Sequence, residues 1–212
     1  MLAPPGDLVS AALAARGGPL PGFRRESALR VIEGFPGAWR WEIAFHVPEQ
    51  LRVTLHTDAE DQMLSSDGTV VRTWVGGAQV SEEPAAGSGA RSLARFVALS
   101  NLDALADAER VAWQELDAAQ RPAGASRALR AHFRDAPLAS SRLGFDERLR
   151  LVFADGPVSI PGLGDGTLEA RYGDYRRVGR WWLPFAIDYR FRGAPLLEER
   201  VVALAPGEQT IP

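Results

Sequence analysis

The 212-residue chain has no cysteine and no lysine, and Asn101 is its single asparagine. Without cysteine the chain can form no disulfide, thiolate metal site, cysteine nucleophile or lipidated cysteine. All 24 basic residues are arginine, beside abundant alanine, glycine and proline, a composition that reflects a GC-rich genome, so arginine as such carries little functional weight. No apolar run approaches the roughly 20 residues that span a bilayer, so no transmembrane helix is expected. Histidine is scarce: His46, His56 and His132 include no pair at His-x-x-x-His spacing, and no metal site is expected. A net charge of −3 and a pI near 5.7 argue against a nucleic-acid surface, which needs a positive field. The start lacks a basic region and is broken by Pro4, Pro5 and Asp7, unlike a signal peptide. An exported form would already have shed its leader.

Catalytic signatures are equally absent. Ser88 lies in Gly-Ser-Gly, not in the Gly-x-Ser-x-Gly elbow of a hydrolase. Gly162-Leu163-Gly164-Asp165-Gly166 precedes a strand pattern rather than a helix, so it reads as a loop and not a phosphate cradle. The acidic pairs Glu82-Glu83 and Glu198-Glu199 read as loop and surface charges. No catalytic residue, cofactor or metal ligand is assigned.

Strand patterning is plentiful. After a short helix over 8–15, with Asp7 as its cap, strands are expected at Ser27–Glu33, Ala38–His46 and around Leu51, Val53 and Leu55. Asp67-Gly68 marks a type I′ hairpin between Gln62–Ser66 and Thr69–Val75, and Gly76-Gly77 turns into Ala78–Ser81. From Ser88 the spacing turns helical through Leu93, Phe96, Val97, Leu102 and Leu105, and further helices are expected over Ala108–Ala119 and Ser126–Phe133. Strands resume at Arg148–Ala154, with Leu149, Leu151 and Phe153 on one face, then at Thr167–Tyr175, Trp181–Phe191 and Leu196–Leu204. Short turns between most strands favour an antiparallel meander. The expected fold is α+β: one domain over 1–212, a strongly curved antiparallel sheet forming a half-open barrel, with a helical insert at about 88–134 covering the concave face.

Trp181, Leu183, Phe185, Ile187, Tyr189 and Phe191 share one parity and form a continuous apolar wall. Adjacent Trp181 and Trp182 must face opposite sides. The wall is covered either by the protein's own core or by an apolar ligand. His46 and His56 fall on the same face of one hairpin, which leaves an imidazole-pair enzyme as a third reading.

The order of motifs resembles the superfamily of periplasmic lipoprotein and lipid carriers typified by LolA and LolB. Trp39-Arg40-Trp41 leads to Val47-Pro48-Glu49-Gln50-Leu51-Arg52 and then Ser66-Asp67-Gly68, similar to that family's Pro-x-x-Leu/Phe-Arg strand and Ser-Asp-Gly hairpin. Tyr172-Gly173-Asp174-Tyr175 followed by Leu183-Pro184-Phe185 is similar to its Tyr-x-x-Tyr and Leu-Pro pattern. Val47 stands where LolA-type carriers place an arginine, so lid control by that arginine is not carried over. The resemblance implies a non-catalytic periplasmic carrier of a lipid or acylated protein, with an envelope protein as a further partner. The residues expected to contact lipid are Trp39, Trp41, Phe45, Leu51, Val53, Trp74, Phe96, Phe153, Tyr172, Trp181, Leu183, Phe185, Ile187 and Tyr189. A sensor or interaction domain of the same fold with a self-filled core is the alternative.

Overall fold

A computed structural model of the protein describes residues 5–31, 39–46, 50–85, 89–100, 102, 111–134, 140–160 and 163–207. Helix α1 (Pro5–Arg16) opens the chain, and strands β1 (Gly22–Val31), β2 (Trp39–His46), β3 (Gln50–His56), β4 (Gln62–Ser66), β5 (Val70–Val75) and β6 (Ala78–Pro84) follow. Helix α2 (Gly89–Ser100) then leads to β7 (Val111–Glu115), β8 (Arg127–Phe133), β9 (Ser140–Phe145), β10 (Leu151–Ile160), β11 (Gly164–Val178), β12 (Trp181–Phe191) and β13 (Ala194–Pro206). These strands form one antiparallel sheet in the order β6-β5-β4-β3-β2-β1-β13-β12-β11-β10-β9-β8-β7. Each half is a meander, and the halves join where the first strand pairs with the last. The sheet is unclosed, with β6 and β7 at its edges.

Helix α2 packs against β10 and also reaches β4, which stand seven spacings apart in the strand order. At about 4.8 Å per spacing a flat sheet would hold them roughly 34 Å apart, far beyond the roughly 10–12 Å diameter of a helix. The sheet therefore curls around α2, and the helix lies inside the curve. Its buried face carries Phe96, Val97 and Leu99, and the Ser92 hydroxyl accepts the Ser159 backbone N–H at 3.1 Å. Gly156 makes room for Ser141 on β9, since a Cβ there would stand 2.6 Å from Ser141 Oγ, while Phe96 and Leu99 of the helix, at 3.7 Å, would be in ordinary contact. Leu8, Val9 and Ala12 of α1 join the same core, against Leu129, Leu143 and Ile187.

The helical insert over 88–134 is corrected. Within it α2 is helical, but Val111–Glu115 and Arg127–Phe133 are strands, not the helices expected at Ala108–Ala119 and Ser126–Phe133. Leu129 and Phe133 satisfy helical spacing, while Leu129, Ala131 and Phe133 satisfy strand alternation equally well. Pairing with the unforeseen β9 decides between them, setting Leu129 opposite Leu143 in the core. Strand β1 starts at Gly22, earlier than expected, because Arg25 and Ser27 point inward and disguise the alternation. Asp7 lies in the first turn of α1 rather than at its cap, where its charge still favours the helix dipole. Glu33, Ala38, Val47-Pro48-Glu49, Ser88, Leu105 and Gly162 lie outside the described residues.

The Asp67-Gly68 hairpin exists but is not type I′, since only Gly68 has positive φ (91°). Asp67 instead caps the turn, its Oδ1 accepting the Thr69 and Val70 backbone N–H groups at 2.8 Å and the Thr69 hydroxyl at 2.7 Å. Those bonds, the Thr69 hydroxyl foremost, hold its carboxyl well below the usual range. Both central residues have positive φ at Gly76 (57°) and Gly77 (84°), in the next hairpin.

Candidate functional site

Between α2 and the inner face of the sheet lies a partly enclosed apolar cavity of about 200 Å³. Its walls come from both halves: Trp41, Ile43, Val53 and Leu64 on β2 to β4, Val158, Ile160 and Leu168 on β10 and β11, and Tyr189, Leu196 and Leu197 on β12 and β13. Leu93, Phe96 and Val97 of α2 form the roof. Strand alternation explains the selection, since Val53 faces Ile43 and Leu64 across the ladders and Tyr189 faces Leu197.

Beside this lining, on the same inner face, sits a charged cluster that the alternation pattern alone did not reveal. Glu199, read from the sequence as a surface charge, is fully buried. Its Oε1 lies 2.8 Å from Arg25 Nε, an ion pair in which both side chains are almost wholly removed from solvent. The same oxygen accepts the Ser27 hydroxyl at 2.6 Å and Trp41 Nε1–H at 3.1 Å, and Oε2 accepts the Tyr189 hydroxyl at 2.8 Å. Burial works against the Arg25 charge, yet Glu199, with Tyr189 and Tyr172 beside it, holds that pKa above its ordinary value. Burial first, and Glu199 next, push the Tyr189 phenol well up, so it stays a neutral donor. Trp41 and Tyr189 thus serve both levels: their rings meet edge to face at 6.0 Å and line the cavity, while their polar tips hold Glu199.

Four of the residues expected to contact lipid line the cavity: Trp41, Val53, Phe96 and Tyr189. Phe45, Leu51 and Leu183 are buried in a neighbouring cluster with Leu20 and Phe23, Ile187 lies in the main core, and Tyr172 is buried near Arg25 and Glu199. Trp39 is half-buried at the end of β2, and Trp181 packs on the second cluster with its Nε1–H donated to the Pro19 carbonyl at 3.0 Å. Phe185 lies under the Arg176 guanidinium, 4.7 Å from its ring centre. Trp182 is 42% exposed, as its neighbour's inward position requires.

Two aromatics face away from the cavity. A bulge between Leu151 and Phe153 adds one residue, so Leu151 pairs with inward Phe145 while Phe153 pairs with Gly144 on the outer face. There Arg142 and Arg171 lie over the Phe153 ring. Trp74 pairs with Met63, and the inward residue beside Met63 is Leu64, so Trp74 is outward too. The lining residues that an aromatic search passed over are aliphatic. Ile43 shares the parity of Trp41 and was recoverable; Val158 and Ile160 lie past the expected end of β10.

His46 pairs with Gln50 and His56 with Arg40, at opposite ends of the β2–β3 hairpin. Six residues at about 3.3 Å each separate them by roughly 20 Å, so they cannot share one substrate. His56 instead lies 2.9 Å from Asp61 and 3.7 Å from Glu42. Among the described residues no group of three potential ligands is placed to hold a metal ion, and no helix is long and apolar enough to cross a membrane.

No family model and no curated protein sequence matches the chain. Solved structures do. A LolA superfamily protein from Nitrosomonas europaea superposes with a TM-score of 0.64 at 12% identity, covering 99% of this chain and 96% of that one. The fold is LolA-like. A DUF1329 family protein from Desulfovibrio piger ATCC 29098 gives 0.59 at 8% identity, covering 97% and 94%. A domain named for outer membrane lipoprotein sorting, from Vibrio parahaemolyticus, gives 0.55 at 10%, covering 95% and 91%. Identities this low carry the fold and leave the site to be argued from its own residues.

Proposed function

We propose that the protein is a non-catalytic periplasmic carrier that shelters an acyl chain of a lipid or lipoprotein between α2 and the inner face of its LolA-like sheet. The observation that carries the reading is the cavity, lined by apolar side chains except at Ser159 and walled by both halves of the sheet. An apolar cavity of roughly 150 Å³ admits benzene, so one of about 200 Å³ has room for a run of methylenes. Six of them, at about 0.8 kcal/mol each, would contribute about 5 kcal/mol before the cost of association. The unclosed sheet offers a route for a longer chain, because α2 can shift without breaking a strand ladder. The name of the Vibrio parahaemolyticus domain agrees with this reading.

Native mass spectrometry of gently purified protein tests it directly. Acyl-bearing adducts that are lost on delipidation, and an environment-sensitive fluorescent fatty acid displaced by phospholipid, are the expected results. Protein free of lipid from the start, with no uptake of the probe, would instead favour the self-filled sensor or interaction domain.

A further inference from the structure

The outer face of the second half carries a different site. A polar cleft of about 240 Å³ lies over β8 to β11, lined by Arg130, Ser140, Arg142, Asp155, Pro157 and Thr167. Arg130 and Arg142 stand directly opposite each other on paired strands, an arrangement of like charges that is destabilising unless something neutralises it. Asp155, opposite Arg142 on the next strand and 5% exposed, does so for one of the two. Its Oδ1 accepts the Arg142 backbone N–H at 2.8 Å, and its Oδ2 accepts Arg142 Nε–H at 2.8 Å and Nη2–H at 2.5 Å. Both carboxylate oxygens are thereby engaged with Arg142. The Arg130 side chain has no hydrogen-bond or ion-pair partner among the described residues, although it is only partly exposed.

We propose that this cleft binds a phosphate group, with Arg130 as the principal contact. Asp155 neutralises Arg142, and Glu169, opposite Asp155 on β11, also acts on it, which leaves Arg130 as the guanidinium of the cleft with no carboxylate paired to it. Arg130 offers an unused planar fork of donors, the geometry that recognises phosphate oxygens in pairs. The hydroxyls of Ser140 and Thr167 supply further donors on either side. Asp155 holds Arg142 in place as a second, fixed positive group. The inference does not depend on the apolar cavity, which opens on the other face of the sheet.

Two probes separate a free phosphate from a lipid headgroup. Calorimetric titration of the full chain with sodium phosphate at constant ionic strength, blanked with sodium chloride, should show saturable one-site binding. Arg130→Ala should weaken it at least tenfold, while Arg40→Ala, at an exposed arginine on β2 in the other half of the sheet, should bind as the wild type does. Flotation with phosphatidylcholine vesicles containing phosphatidic acid forms the other arm. Vesicle binding that Arg130→Ala abolishes assigns the site to a headgroup, and phosphate binding without vesicle binding assigns it to a soluble phosphate. Arg130→Gln, which keeps length and polarity, repeats the test should the alanine variant misfold. Absence of saturable binding to either probe, or binding by both Arg130 variants equal to the wild type, would overturn the proposal.

Discussion

Replacing Glu199 with glutamine tests the buried cluster most sharply, because the change is nearly isosteric and removes one charge. Four groups converge on the carboxylate: the Arg25 guanidinium at 2.8 Å, and the donors of Ser27, Trp41 and Tyr189 at 2.6, 3.1 and 2.8 Å. A glutamine offers one acceptor oxygen and turns an amide toward groups that also donate. At least one donor is left unsatisfied, at about 1–3 kcal/mol, and Arg25 keeps its charge with no buried counter-charge. Breaking one side of a buried pair costs about 3–5 kcal/mol in total, so Glu199→Gln should lose about 4 kcal/mol. For a chain of this size that lowers Tm by roughly 8–16 °C, readable by circular dichroism, with urea unfolding for the free energy. Adding Arg25→Met to Glu199→Gln should recover part of the loss, since the uncompensated buried charge is then removed while the amide oxygen still accepts from the remaining donors. A Glu199→Gln variant within about 1 kcal/mol of the wild type would refute the placement of that carboxylate in a closed apolar interior. Because Trp41 and Tyr189 also line the cavity, the same variant should weaken uptake of a fluorescent fatty acid under conditions where it remains folded.

Val53→Trp should occupy the cavity from β3, abolishing probe uptake with little loss of stability; unchanged uptake would place the ligand elsewhere. Gly17→Ala should destabilise by more than about 2 kcal/mol in urea unfolding, because Gly17 has φ 114° and a Cβ there would lie 2.1 Å from the Arg180 carbonyl oxygen. The three tyrosines, Tyr172, Tyr175 and Tyr189, all have pKa values raised chiefly by burial. A raised folded pKa means stability that is whole below the unfolded tyrosine value of about 10 and is lost as pH climbs beyond it. Phenolate absorbance should therefore stay flat past pH of about 10 and rise in one step coincident with unfolding; a gradual rise in folded protein would contradict their burial.

Most strands were legible because their alternation is clean: β2, β3 and β12 each place apolar residues on one face against charge on the other. Legibility failed in two physical situations. In β7 and β8 the segments are short and carry good helix formers, alanine, glutamine and glutamate in β7 and alanine, leucine and arginine in β8, and only pairing with a neighbouring strand decides their state. In β1, β10 and β13 the alternation is real but locally altered. Arg25 and Glu199 put charge on the inner face, and the bulge before Phe153 turns that ring outward. The cavity shows the same division. Its aromatic members, Trp41, Phe96 and Tyr189, stand out in the sequence, whereas the aliphatic lining from β10 and β13 becomes recognisable only once the sheet is known to curl around α2.

The inward charges that hid β1 explain how the two halves of the sheet find one register. Among the described residues, strands β1 and β13 are the only adjacent pair in the sheet not consecutive in sequence, so no tight turn dictates their alignment, and closing so large a loop is entropically costly. Ser27 and Glu199, 172 residues apart, hydrogen-bond across that seam, and Arg25 pairs with Glu199 across it. A one-residue slip of β13 would turn Glu199 to the outer face and leave Arg25 buried without its counter-charge. An apolar pair at these positions would tolerate neighbouring registers far better, since any inward aliphatic residue could fill the gap. Trp41 and Tyr189 extend the same constraint to β2 and β12, so four contiguous strands are aligned by one carboxylate beside the cavity. The cavity wall can be almost wholly apolar because the specificity of strand pairing is supplied by the charged cluster beside it.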